Sequence, residues 1–313
     1  MSSLSLSLLD LGIIAPGQNG ADVLAQTFRM AKLADQLGYE RLWLAEHHEA
    51  HFSWAAPEMM LAALAQTTQR MGLGSAAVLL PLYSPLAVAE NYRGLSALSG
   101  GRVVLGVCGG VPADPVALAA LTGSDEPPGV ITKQFADKLA DLKRYLEGDF
   151  PEGHRFAHAA TPCFAERPPL WIMGSGFGTA ELAAKSAASY AYSLFHRAST
   201  QDAAITSAYK RQYGEYQGNT DKAKIAIALS CVCADTEDMA QAQKQQIESW
   251  IGSTMRVNIC GTPASCRDQI LAIQERYDAD NIIIYHMWHL EERKRTAIVA
   301  LAELFELQTE LQT

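Results

Sequence analysis

The chain has 313 residues, of which 49% are hydrophobic, and its 25 basic and 34 acidic side chains give a net charge of −9. This composition is typical of a folded globular protein and excludes an intrinsically disordered one. Because no cluster of Lys and Arg offsets the acidic balance, the sequence argues against binding to nucleic acid or to an anionic membrane surface.

Short apolar runs rich in β-branched residues alternate with longer amphipathic segments. The predicted strands are Leu6–Ile14, Arg41–Ala45, Leu73–Leu80, Val103–Val107, Leu170–Met173, Tyr190–Phe195, Ile225–Ala234 and Asn281–His286. The predicted helices are Asp22–Leu37, Pro57–Arg70, Pro85–Leu98, Thr132–Leu146, Thr179–Ser186, Thr200–Tyr216, Glu237–Ile251, Ala264–Arg276 and Glu291–Leu311. Parallel strands need crossover helices, so this order predicts an α/β fold with a parallel sheet.

Eight strand–helix repeats predict that the sheet closes into a (β/α)₈ TIM barrel, formed by residues 1–313 as a single domain. Two long loops rich in Pro and Gly interrupt the repeats. They are excursions after strand four and before strand five, at Gly109–Val130 and Gly148–Pro168.

The amino-terminal segment and the cysteines indicate a cytoplasmic protein. Residues 1–17 lack a basic region and Asp10 interrupts their apolar run, unlike a secretory signal. The uncharged stretch Met71–Ala89 is broken by glycines and prolines, unlike a membrane span. We expect reduced, buried thiols, since there is no C-x-x-C pair among the six cysteines, at positions 108, 163, 231, 233, 260 and 266.

Chemistry in such a barrel gathers at the carboxyl ends of the strands. Six of the eight histidines lie at or just after a predicted strand end, which favours a functional site over ordinary packing. They are His47, His48, His51, His196, His286 and His289. Metal ligation fits them poorly, because His47, His48 and His51 form neither an H-x-H pair nor an H-E-x-x-H motif. We therefore predict no metal site.

A glycine-rich turn follows the fifth predicted strand, with Gly174, Ser175 and Gly176 before Thr179. Backbone N–H groups of such a turn, the positive end of a helix and two hydroxyls suit a phosphate. An ordinary strand–helix turn with Thr179 as helix cap is the alternative. A dinucleotide site is disfavoured, because Thr179 replaces the third glycine and the next strand ends without an acidic residue.

Several phrases of the sequence are characteristic together. They are Trp43-Leu44-Ala45-Glu46-His47-His48, Ala76-Ala77-Val78-Leu79-Leu80-Pro81, Ser84-Pro85-Leu86, Val88-Ala89-Glu90, and Gly174-Ser175 with Thr179-Ala180. On these residues the chain resembles the bacterial luciferase-like flavin monooxygenase family, and within it the small single-chain oxidoreductases. The match is dense over residues 4–110 and patchy over 168–196 and 261–305.

The resemblance implies a TIM-barrel enzyme that binds reduced FMN and dioxygen and oxygenates a small organic substrate through a C4a-peroxyflavin. It places His47 beside the flavin for proton transfer, and we expect its pKa to lie near the working pH, with Glu46 and His48 as orienting residues. It also implies a separate flavin reductase and a homodimer formed through helices that include Ala55–Ala65. The implied cofactor-binding residues are Ala76 and Ala77 (as a non-prolyl cis peptide under the ring), Cys108, Gly109, Gly174, Ser175, Gly176, Thr179 and Ser193.

One position departs from the family pattern. Many relatives carry an Arg after strand four that pairs with the FMN phosphate, and here that position is Gly109. Losing a charge-assisted pair costs about 1.5–3 kcal/mol, so the sequence predicts weak FMN binding. Backbone amides at Gly109 and Gly110, or the bases Arg197 and Lys185, could compensate.

Other interpretations stay open at this point. The fold would also suit a non-catalytic flavin-binding protein or an oxidoreductase that uses the deazaflavin F420. Cys108 is either a thiol beside the flavin or a small hydrophobic residue in packing. The substrate itself cannot be predicted. Candidates for the wall of the substrate pocket are His51, Phe52, Trp54, His286, Trp288 and His289.

Overall fold

The computed structural model describes residues 4–159, 167–250 and 255–307. Cys163, most of the loop before strand five beyond residue 159, and the predicted helix ends at Ile251 and Leu311 lie outside these ranges.

Eight parallel strands close into a barrel with helices around it, which confirms the predicted (β/α)₈ TIM fold. The strands are β1 (Ser5–Asp10), β2 (Arg41–Leu44), β3 (Gly72–Ser75), β4 (Val78–Leu79), β5 (Val103–Cys108), β6 (Leu170–Gly174), β7 (Ser189–Ser193), β8 (Ile225–Cys233), β9 (Ile259–Gly261) and β10 (Asn281–His286). The barrel order is β1, β2, β3, β5, β6, β7, β8 and β10. Pairing of β10 with both β8 and β1 closes it.

The helices mostly connect successive strands, as parallel pairing requires. They are α1 (Gly20–Leu37), α2 (Pro57–Ala65), α3 (Pro85–Leu98), α4 (Pro115–Thr122), α5 (Pro128–Thr132), α6 (Phe135–Glu147), α7 (Phe177–Lys185), α8 (Ala204–Gln217), α9 (Glu237–Trp250), α10 (Pro263–Tyr277) and α11 (Glu291–Leu304), with a short 3₁₀ helix at Leu80–Leu82. None of the helices in the described ranges combines the length and the apolar character needed to cross a lipid bilayer.

The predicted third strand, Leu73–Leu80, is interrupted. β3 ends at Ser75, a cis peptide joins Ala76 to Ala77, and the chain then pairs again as β4 against β5. The sequence pattern did not reveal the break, because apolar residues continue through it. The cis peptide itself agrees with the expectation from the family resemblance.

The excursion after strand four is not the continuous loop that the sequence predicted. It contains α4 and α5, and each begins with a proline, Pro115 and Pro128. Asp114 caps α4 by accepting a hydrogen bond from the Val116 N–H at 3.0 Å. Proline at the first helical position is a helix-start signal, strengthened in α4 by the Asp cap, so both helices could have been predicted.

The short strand β9 was also missed. Cys231 of β8 pairs with Ile259 of β9 on one side and with His286 of β10 on the other. β7 stops pairing with β8 at Ala228, so β9 continues that side of β8 beyond the end of β7. Three residues are too few for a periodic signal.

The core has two shells, one inside the barrel and one between the barrel and its helices. All nine residues of β8 are buried, as expected for a parallel strand covered on both faces. Inside the barrel, the rings of Trp43 and Trp171 meet edge to face with centroids 5.6 Å apart. This contact fills part of the barrel interior.

Candidate functional site

A cavity of about 530 Å³ opens among the carboxyl ends of the strands. This volume is typical of sites for small molecules and cofactors. The lining residues are Leu9, Ala76, Ala77, Cys108, Gly109, Gly110, Phe135, Met173, Gly174, Ser175, Gly176, Thr179, Ala191, Ser193, Phe195, His196, Ala228 and Ile283. All nine cofactor-binding candidates from the sequence therefore line one cavity.

One wall of the cavity is the backbone at Ala76 and Ala77. Their side chains are single methyl groups, so this wall is a flat shelf. Below it, the Ser75 hydroxyl donates to the Gly106 carbonyl at 2.9 Å and accepts from the Gly106 N–H at 3.0 Å. These bonds fasten the end of β3 to β5, which fixes the position of the shelf.

Glu46 and His48 do not line the cavity. The Glu46 carboxylate is buried and accepts three hydrogen bonds: from the Tyr83 hydroxyl at 2.7 Å, from the Leu79 N–H at 3.0 Å and from His48, whose Nε2 lies 2.8 Å away. Burial raises the pKa of Glu46, while these partners oppose the shift. The carboxylate ties β2 to the segment after Ala77, so its contacts are those of a positioning residue.

His47 lies near the cavity without being part of its lining. Its ring stacks on Phe52 with centroids 4.1 Å apart, and its side chain is 33% exposed. Burial is the main cause that lowers the pKa of His47 to about 4, and nearby His196, which lines the cavity, lowers it further. The expectation of a pKa near the working pH is therefore wrong. At neutral pH the imidazole is uncharged and able to accept a proton.

The glycine-rich turn forms the opposite wall. α7 begins at Phe177, two residues before the predicted start at Thr179, with Gly176 as an N-cap that has no side-chain hydrogen bond. A Cβ at Gly174 would lie 2.6 Å from the Thr179 methyl group, so only glycine leaves room for the Thr179 side chain there. The first N–H groups of a helix have no partner within it, and Gly176 and Thr179, at the start of α7, line the cavity. This arrangement suits an anionic or strongly polar group.

Two side chains at strand ends add polar atoms. The Ser193 hydroxyl is buried and has no hydrogen-bond partner in the described structure, although it lines the cavity. A buried hydroxyl without a partner is costly, so this atom fits a site that a ligand completes. Burial raises the pKa of Cys108 to about 11, so its sulfur is a thiol at neutral pH.

Phe135 is a lining residue that the sequence did not indicate. It stands at the start of α6, where it reads as an ordinary apolar residue of an amphipathic helix. A Cβ at Gly109 would lie 3.0 Å from its ring. Phe135 therefore fills the space beside the position where the family pattern has an Arg. Gly109 and Gly110 bring only backbone to the cavity.

The floor of the cavity was also not predicted. It is formed inside the barrel by Leu9, Ala191, Ala228 and Ile283, with Met173 and Phe195 beside them. Inward-facing positions of a barrel strand look like any buried strand residue in the sequence. The small side chains at Ala191 and Ala228 are the one available signal, since they leave space where larger residues would fill the barrel.

Most of the predicted pocket-wall residues lie elsewhere. Successive side chains of a strand alternate between its faces, so His286 lies on the opposite side of β10 from Ile283. His286 borders a separate cavity of about 20 Å³, and His289 and Trp288 border another of that size. Trp54 is buried and donates to the Ala45 carbonyl at 2.9 Å. His51 and Phe52 lie beside His47 at some remove from the lining.

Comparisons with known proteins agree with this geometry. The family model for luciferase-like monooxygenases matches residues 9–258. The uncharacterized protein YwcH of Bacillus subtilis (strain 168) is 29% identical, over 96% of this chain and 99% of that protein. The N-acetyl-S-alkylcysteine monooxygenase of the same organism is 29% identical, over 88% of this chain and 82% of its own length.

Solved structures share the fold. The crystal structure of apo-MsnO8 superposes with a TM-score of 0.84 at 27% identity, covering 98% of this chain and all of that one. At lower identity, which shows the fold alone, two structures carry cofactors. The oxygenating constituent of 3,6-diketocamphane monooxygenase from Pseudomonas putida, in complex with FMN, has a TM-score of 0.73 at 15% identity over 96% and 97% of the chains. An F420-dependent secondary alcohol dehydrogenase has a TM-score of 0.72 at 14% identity over 98% and 99%.

Proposed function

The chain belongs to the luciferase-like monooxygenase family, and from that membership we propose that it is a flavin-dependent monooxygenase. In this proposal a separate reductase supplies reduced FMN, and dioxygen and a small organic substrate meet it in the cavity. One observation carries the proposal: a single cavity joins a flat shelf at Ala76 and Ala77 to the amino terminus of α7. A planar ring system with a polar tail needs both features.

The residues present fit a flavin. The methyl side chains of Ala76 and Ala77 leave a flat surface for a ring, and the partnerless Ser193 hydroxyl offers a hydrogen bond. Ser175, Thr179 and the free N–H groups at the start of α7 would hold the tail. The cavities beside His286 and beside His289 hold only about 20 Å³ each, too little for a flavin.

When bound, reduced FMN supplies two electrons to dioxygen, so that one oxygen atom enters the substrate and the other leaves as water. The protein positions the reactants and keeps bulk water out. The apolar floor at Leu9, Ala228 and Ile283 serves the second purpose. In this proposal His47, which is uncharged at neutral pH and lies beside the cavity, accepts a proton from the reacting groups. The hydrogen bonds that Glu46 accepts from Leu79 and Tyr83 fix the position of the shelf relative to β2.

The test is product formation with reduced FMN from a generic flavin reductase and pools of candidate substrates. We expect oxygenated product from the wild type and a loss of about 10²–10⁴-fold in His47→Ala. The exposed His158→Ala serves as the matched control. Equal yields from wild type and His47→Ala would remove His47 from the mechanism. Flavin binding without product in any pool would favour a non-catalytic flavin-binding protein.

Deazaflavin F420 is the second candidate cofactor, because an F420-dependent dehydrogenase shares the fold. The two are separated by supplying reduced F420 or reduced FMN to the same protein. Turnover only with F420, without dioxygen consumption, would show that the protein is an F420-dependent oxidoreductase rather than a monooxygenase.

The proposal also includes a homodimer of one-domain chains in the cytoplasm. α2 supports it, because Met59 is 73% exposed on a helix whose only charged residue is Glu58. Ala63, one turn further along α2, is also exposed, so Met59 and Ala63 form an uncharged apolar face that a second copy covers in this proposal.

A further inference from the structure

The cavity lining carries almost no charge. Of its eighteen residues only His196 and Cys108 are ionisable; burial lowers the pKa of His196 and raises that of Cys108, and both shifts favour the uncharged form. The residues outside the described ranges contain no Lys or Arg, so none of the basic side chains of the chain is missing from this comparison with the lining. The cavity therefore has no cation in its wall.

The end of the cavity that would hold the tail of the flavin also lacks charged side chains. It is formed by the backbone of Gly109 and Gly110, the ring of Phe135 and the turn before α7. Ser175, Thr179 and the N–H groups of that turn are neutral donors. Such donors form hydrogen bonds both to the hydroxyl groups of a sugar-like chain and to phosphate oxygens.

The bases Arg197, Lys138 and Lys185 are not part of the cavity lining. The Nε of Arg197 donates to the Met255 carbonyl at 2.9 Å, and Lys138 donates to the Pro81 carbonyl at 2.5 Å. Lys185 ends α7, about 12 Å along the helix axis from Phe177. Lys185, one of the groups that the sequence offered in place of the absent Arg, therefore lies at the far end of α7 from the turn that lines the cavity.

A phosphate buried without a counter-cation loses its hydration and regains little. The helix dipole typically contributes about 0.3–1 kcal/mol, which corresponds to less than tenfold in a dissociation constant. We infer that this cavity recognises the ring and ribityl chain of a flavin rather than its phosphate, so that it accepts uncharged riboflavin about as well as FMN. The inference rests on the proposed flavin site and extends it to the class of flavin that the site takes.

The first test compares two ligands on the wild-type protein. Riboflavin and FMN, oxidised and anaerobically reduced, are titrated in the same buffer, and binding is followed by fluorescence or equilibrium dialysis. We expect dissociation constants within about tenfold of each other. FMN binding tighter by more than tenfold overturns the inference and leaves the proposed function intact. Failure of both flavins to bind contradicts the proposed function itself.

The second test adds the missing charge. Phe135→Arg places a guanidinium beside Gly109, and Phe135→Leu is the uncharged control; circular dichroism and thermal melting establish that both variants are folded. We expect Phe135→Arg to increase the preference for FMN over riboflavin about ten- to hundredfold, and Phe135→Leu to leave it unchanged. An unchanged preference in folded Phe135→Arg would mean that the tail does not lie beside Phe135, which overturns the inference.

Discussion

Phe135 packs against Gly109 so closely that a Cβ at position 109 would lie 3.0 Å from ring atoms Cγ and Cδ1. The two residues are 26 positions apart in the chain: Gly109 directly follows β5, and Phe135 begins α6. Position 109 therefore has neither a side chain nor a charge, although the family resemblance predicts an Arg there, and the Phe135 ring occupies the adjacent space.

Gly109→Ala tests this contact. The added methyl group must push the Phe135 ring away, and overpacking of this kind costs about 1–3 kcal/mol in the free energy of unfolding. Gly110→Ala is the control, because its Cβ would lie 3.4 Å from Cys108 Sγ and 3.5 Å from Leu79, in ordinary contact. Urea denaturation of both variants checks the prediction, and equal stabilities would contradict it.

Glu46→Ala is expected to destabilise the fold. It leaves the buried Leu79 N–H, the Tyr83 hydroxyl and the His48 ring without their acceptor, at a cost of about 2–4 kcal/mol. Tyr83→Phe, which removes one donor of the same network, should cost about 1 kcal/mol. Thermal denaturation measures both variants. A neutral Glu46→Ala would show that the carboxylate does not hold the shelf.

His286 should make the protein sensitive to acid. It is buried with neither ring nitrogen bonded, and burial lowers its pKa to about 3. The contribution of neutral His286 to the free energy of unfolding is therefore complete above the unfolded pKa of about 6.5. It declines as the pH falls towards 3, because in this range only the ring of the unfolded chain takes up a proton. We expect His286→Leu to remove this loss, which amounts to roughly 2 kcal/mol between pH 6.5 and 5.

Urea denaturation at pH 7.5 and pH 5 measures the effect of His286→Leu. The exposed His158→Leu is the control and should follow the wild type at both pH values. If His286→Leu loses as much stability on acidification as the wild type does, the acid sensitivity arises elsewhere.

Ser193→Ala should act in opposite directions on stability and on binding. The hydroxyl is buried without a partner, so its removal leaves the free protein equally or more stable. Flavin binding should weaken about fivefold, the value of one neutral hydrogen bond. Ser7→Ala is the control, because its buried hydroxyl also lacks a partner but does not line the cavity. Melting without ligand and flavin titration distinguish the two.

Met59→Lys should dissociate the proposed homodimer. A charge at the centre of an apolar contact leaves an unpaired cation on association, which costs several kcal/mol. Light scattering after size-exclusion chromatography gives the mass of each variant. The exposed Val116→Lys, on α4, is the control and should leave the mass unchanged. A wild-type monomer at micromolar concentration would end this part of the proposal.

The fold could be predicted because each of its signals is local. Alternating apolar strands and amphipathic helices imply crossovers, and eight crossovers imply closure. The errors occurred where the signal is short or misleading. β9 has three residues, and the break at Ala76 lies inside a continuous apolar run. α4 and α5 were missed although Pro115 and Pro128 mark their starts.

The sequence by itself determined the barrel, the glycine turn before α7 and the set of strand ends that surround the cavity. Only the tertiary structure decided that Phe135 occupies the space beside Gly109, that His286 points away from the cavity, and that burial keeps His47 uncharged. The physical reason is that strand and turn propensities depend on neighbouring residues in the chain. Burial, and with it each pKa and each close contact, depends on segments brought together from distant parts of it.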